Sequence, residues 1–135
     1  MVTTTTPFRS IGEAQNEQYV SFVGVKTATI VKDGTQSNAV LLDGLSPIRL
    51  LWPAGWKSTS PVVRVLVSEN ATTYYRLYTA TGTGYTIPAV KSHATQLDPD
   101  AFRGVTYIKL SGTQARGTAV TQGTICPISV VCRLI

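Results

Sequence analysis

Residues 97–113 read LDPDAFRGVTYIKLSGT, and the fold follows from how this stretch changes character halfway. It opens on a turn, Leu97-Asp98-Pro99-Asp100, where Pro99 fixes one backbone angle and the aspartates suit local hydrogen bonding to the backbone. A short loop carries Phe102, and Gly104 then opens a strictly alternating run. Val105, Tyr107 and Lys109 face one way; Thr106, Ile108 and Leu110 face the other. A period of two marks a strand with one side in a core. No acid, base or nucleophile is placed in it for chemistry. The stretch reads as the wall of a β-sandwich.

Outward from this segment the same grammar repeats. Strands are expected at residues 19–25, 27–31, 38–42, 48–52, 62–67, 73–78, 85–87, 106–110 and 125–134. Between them stand turn signals: Asp33-Gly34, Asp43-Gly44, Pro53-Ala54-Gly55, Ser68-Glu69-Asn70-Ala71 and Thr81-Gly82-Thr83-Gly84. Asp-Gly pairs supply the left-handed conformations of tight reversals. Val63, Val65 and Val67 share a face opposite Arg64, and Tyr75 and Leu77 oppose Tyr74, Arg76 and Tyr78. Residues 111–123 read as a loose loop. Eight to ten short, regularly spaced strands predict an all-β fold, an antiparallel β-sandwich or jelly roll. Residues 19–135 form its single domain. Residues 1–18 are polar, lack alternation and read as an extended N-terminal arm, with a short helix over 11–18 as its one patterned element.

A chain of 135 residues can close one core without a metal or a disulfide. Apolar residues make up 43% and charged residues only 14%, below the usual quarter, which favours strands and turns over helices. No apolar run approaches the roughly 20 residues of a membrane-spanning helix. The first residues carry neither a secretory nor a lipidation pattern, so synthesis in the cytoplasm and no membrane partner are expected. The net charge is +5, and the isoelectric point is about 9.5. The twelve Lys and Arg are scattered singly, with no two adjacent. That spacing argues for an acidic protein surface as partner and against nucleic acid.

Chemistry finds no constellation. The seven acids sit mostly in turn motifs, and Asp98-Pro99-Asp100 is the only close pair. Calcium asks for six or more oxygens, so this pair is a turn and not a metal site. His93 is the only histidine and has no nucleophile beside it in the sequence. Cys126 and Cys132, six residues apart in one expected strand, would lie roughly 20 Å apart on the same face. They read as small core residues. The expectation is a non-enzymatic chain with no catalytic residues, no metal and no cofactor.

The aromatic residues allow two readings each. Trp52 and Trp56 bracket Pro53-Ala54-Gly55, while Tyr74, Tyr75 and Tyr78 lie on one strand. Such rings either fill a core or meet a sugar ring or a partner pocket. Trp56, followed by the polar Lys57-Ser58-Thr59-Ser60, is the strongest candidate for a surface. Tyr74 and Tyr78, with Phe8 and Arg9 on the arm, complete the candidate interface residues.

Three segments carry a resemblance: SNAVLLDGLSPIRLLWPAGW at 37–56, VRVLVSENATTYYRLY at 63–78, and LDPDAFRGVTYIKLSGT. In that order they resemble small β-rich structural proteins of tailed bacteriophages. Ser68-Glu69-Asn70 stands where an Asp-Gly turn would be usual, and residues 1–26 fall outside the resemblance. The resemblance implies a capsid decoration, or cement, protein on the particle surface. It further implies the major capsid protein as partner, a homotrimer as the assembled form and shell stabilisation as the role. The alternatives are a host-glycan-binding module of a fibre, with Trp52, Trp56, Tyr74 and Tyr78 as platform, or a neck or tail assembly protein.

Overall fold

The computed structural model describes residues 23–134. Phe8, Arg9, the helix expected over 11–18 and the first part of the strand expected at 19–25 lie outside the described residues. Within them the chain forms β1 (Val23–Ile30), β2 (Val40–Leu41), β3 (Ser46–Leu51), β4 (Val62–Ser68), β5 (Tyr75–Arg76), β6 (Thr86–Pro88), β7 (Ala94–Gln96), β8 (Tyr107–Thr113) and β9 (Cys126–Arg133). A single 3-10 turn covers Pro99–Phe102.

The strands make two antiparallel sheets packed face to face, a β-sandwich. One has the order β1-β9-β3-β7, the other β2-β8-β4-β5 with β6 also on β4. Apart from β4, β5 and β6, which share a sheet, each strand crosses to the sheet opposite its predecessor. That path is a jelly roll. Strands β5 and β6 occupy one position on the edge of β4: Leu66 pairs Arg76 and Arg64 pairs Thr86. Residues 77–85 are pushed out between them as a small hairpin, closed by Tyr85 N–H to Leu77 O and Thr79 N–H to Thr83 O.

Alternation fills the core. Along β9, Cys126, Ile128, Val130 and Cys132 are buried, while Pro127, Ser129, Val131 and Arg133 face outward. Both cysteines are free and on one face, as their spacing predicts. Val63 and Val65 on β4 and Ile108 and Leu110 on β8 close the layer from the other sheet. Each fully buried aliphatic side chain of this kind contributes about 1.5–3 kcal/mol.

Turn chemistry follows the sequence closely. Asp33, Asp43 and Ala71 take positive φ of 65°, 54° and 62°. Ser68 Oγ accepts from the N–H groups of Asn70 and Ala71, tying the turn after β4. In the 97–113 stretch, Asp98 Oδ1 accepts from Asp100 N–H and caps the 3-10 turn, which drives Phe102 into the core.

Four expectations need correction. The strands expected at 19–25 and 27–31 are continuous through the described residues, as β1. Lys26 does not break it, because it lies opposite Val130 on the inner side of an edge strand. Inward charge of this kind blunts an edge against stray pairing, and Asn38 adds to it by accepting from Thr29 N–H through Oδ1. Strand β7 was not expected; its one inward residue, Thr95, bonds rather than packs, accepting from Trp52 Nε1 at 2.8 Å. Residues 111–123 are not loose, since β8 runs on to Thr113 and Gln122 is fully buried with its Oε1 accepting from Lys57 N–H.

Trp56 is the fourth correction. It is only 2% exposed, packs against Trp52 at 4.9 Å between ring centres, and donates from Nε1 to Ser60 O. The polar run after it folds back under the ring, so polarity at 57–60 marks a turn and not an exposed tryptophan. A tryptophan platform for sugar is therefore absent.

Candidate functional site

The outer face of the five-stranded sheet follows from the register. Leu66 points outward at its centre. Lys109 of β8 lies across from it on one side and Arg76 of β5 on the other. Arg64, two residues along β4, also points outward, opposite Ser111 and Thr86. At strand spacings near 4.8 Å the α-carbons of these three residues lie around Leu66 within about 10 Å of one another.

Aromatic rings and glycines hold these cations down. Lys109 Nζ sits 4.4 Å from the centre of the Tyr74 ring, and the Arg76 guanidinium lies 5.1 Å from that of Tyr78. Cation–π contacts of this kind contribute roughly 0.5–2 kcal/mol each. Gly84, on the hairpin between β5 and β6, has its α-carbon directly against the Arg76 guanidinium, where any Cβ would collide. Gly117 stands the same way against Arg64. It belongs to a second hairpin, closed by Gln114 N–H to Thr118 O, with φ +96° at the glycine.

The consequence shows in the hydrogen bonding. Arg64 Nε, Arg76 Nε and Tyr74 OH are shut off from solvent and, among the described residues, have no partner. An arginine reaching into water keeps every N–H hydrated; in these two the Nε–H is covered by protein instead. Nor does Arg64, Arg76 or Lys109 pair with a carboxylate among the described residues. The carboxylate that follows β4, Glu69, accepts from Thr106 Oγ1 at 2.6 Å. Sheet faces are normally steadied by opposite charges across strands, and like charges there are destabilising. This face keeps three like charges around a leucine.

Beside it lies a cleft of about 380 Å³, lined by Leu77, Tyr78, Tyr85, Asp98 and Asp100 among others. Burial first, and the Asp98 carboxylate second, push the Tyr85 hydroxyl above its ordinary value. Asp100 is engaged by Arg103 at 2.7 Å. Among the described residues no group of three His, Cys, Asp or Glu is placed to hold a metal ion.

The structure thus brings together two of the expected interface residues, Tyr74 and Tyr78, and removes Trp56 from the surface. Phe8 and Arg9 are not described. Sequence reading missed Arg64, Arg76 and Lys109 as a group, although it placed Arg76 on the face of Tyr74 and Tyr78. Only the pairing of β4 with both β8 and β5 assembles them. Compared with known protein families, curated proteins and solved structures, the chain matches none.

Proposed function

We propose that this chain is a non-enzymatic structural protein that docks on an acidic protein surface through the outer face of its five-stranded sheet. The setting suggested by the phage resemblance is the outside of a capsid, where a decoration protein would bridge copies of the major capsid protein, as a trimer. The single observation that carries the docking half is the cluster of Arg64, Arg76 and Lys109 around Leu66 without a carboxylate partner among the described residues. Such a surface speeds encounter with an acidic partner and fixes its orientation. Bound copies add their binding free energy to the closed shell only, which is what raises its resistance to rupture.

The test is binding of the purified chain to capsids assembled without it, read as copies per capsid subunit. Saturation at a fixed small-integer ratio, with shells surviving greater heat, is the expected result. A second reading, a host-glycan-binding module, draws on the cleft where Tyr78 and Tyr85 stand beside Asp98 and Asp100. Rings with nearby carboxylates suit sugar recognition. Under it, oligosaccharide binding would be lost in Tyr78→Ala and capsid binding would be absent.

A further inference from the structure

We infer that the five-stranded face receives carboxylates from an acidic protein segment. Arg64 and Arg76 are the receiving groups, and Gly84 and Gly117 set their positions. The inference rests on the reading that this face docks the chain, and it names the chemistry that the face selects.

A guanidinium is planar and presents paired N–H groups in a fork that fits a carboxylate with two parallel bonds. The fork selects only when it is held still, because a free arginine loses rotamer freedom on binding. Both arginines here are held. Each has one side against a glycine of a hairpin and its Nε shut off from solvent. Arg76 is held in addition by the ring of Tyr78. The two hairpins come from separate parts of the chain, residues 77–85 and 114–118, yet each places a glycine on an arginine of the same face. Arg49, on the outer face of the other sheet, offers the contrast: its Nε has a partner, donating to Gln96 Oε1 at 2.8 Å.

An acidic protein segment fits this face better than nucleic acid does. The rings of Tyr74 and Tyr78 already hold Lys109 and Arg76, which occupies stacking surface that single-stranded bases would need. An apolar residue, Leu66, sits at the centre of the cations. A protein segment carrying an apolar side chain between acids meets that pattern, while a phosphate backbone does not.

The experiment titrates the full chain against a fluorescein-labelled poly-glutamate peptide and, separately, against an oligothymidylate of equal net charge, following anisotropy. The expected result is tighter binding of the peptide, weakened about tenfold by Arg64→Gln and by Arg76→Gln. Arg49→Gln, which removes the same charge from the opposite face, should leave binding unchanged. Gly84→Ala should weaken peptide binding several-fold without lowering the melting temperature, because its added methyl meets only the flexible end of Arg76. Absence of peptide binding would overturn the inference. So would oligothymidylate binding as tightly as the peptide, or equal losses from Arg49→Gln and Arg76→Gln. Peptide binding with no capsid binding would leave this inference standing and remove the capsid as the partner.

Discussion

The two outer faces of this sandwich share a backbone plan and differ in what they carry. On the four-stranded sheet the outward residues include Val25, Thr27, Ser129, Val131 and Leu51 together with Arg49 and Arg133, and Arg49 Nε donates to Gln96 Oε1. The five-stranded sheet puts Arg64, Arg76 and Lys109 around Leu66 and packs tyrosines and glycines against them. Folding asks only that an outer face stay compatible with water. A face that gathers like charges and shields two guanidiniums gives up some stability, and that departure is where function is to be sought.

The comparison can be broken most severely at its premise, the assignment of inner and outer positions. Ile108→Asp places a charge where the side chain is 1% exposed, at a cost of several kcal/mol, and should unfold the domain or lower its melting temperature drastically. Tyr107→Asp, one residue back on the outer face, should cost about 1 kcal/mol or less. Equal melting of the two would mean that β8 is assigned the wrong way round.

The next effect concerns binding. The double variant Arg64→Gln/Arg76→Gln should weaken attachment to capsids by about a hundredfold while leaving the fold intact. Val25→Thr on the four-stranded face should change neither. Loss of attachment on changing Val25 would shift docking to the other sheet.

The two glycines sharpen the picture further. Gly117 has φ +96°, so Gly117→Ala adds backbone strain of about 1 kcal/mol to the collision with Arg64. Gly84 needs no left-handed backbone, and Gly84→Ala should be nearly neutral for stability. Chemical denaturation of the pair should separate them by that amount.

The smallest effect is alkaline. Burial raises both thiols above their ordinary value of 9.0, with Lys26 partly opposing this at Cys132. A raised folded value means that their contribution is full below pH 9 and is lost as the pH climbs through the folded values. Cys126→Ala/Cys132→Ala should lose less stability between pH 8 and pH 10 than the wild type does. Identical slopes in melts across that range would show the thiols to be uninvolved.

Much of the inner layer could be read from the chain. The alternation at 105–110 and 62–67 places Ile108, Leu110, Val63 and Val65 correctly, and the Asp-Gly pairs mark real turns. These are local signals, carried by neighbours a few residues apart. Strand β7 was invisible because Thr95 contributes a hydrogen bond and not apolar bulk. Trp56 misled because its polar neighbours fold beneath the ring, a contact that no periodicity encodes. The cation cluster was illegible for a different reason. Arg64, Arg76 and Lys109 stand on three strands, and only the order β8-β4-β5 makes them neighbours.

The most direct test of the docking face is hydroxyl-radical footprinting of the chain, free and bound to capsids, comparing side-chain oxidation on the two outer faces. Docking through the five-stranded sheet predicts protection of Tyr74, Tyr78 and Tyr107 on binding, with Val23, Val25 and Pro127 oxidised as in the free chain. Protection of Val23, Val25 and Pro127 with the tyrosines unchanged would contradict it.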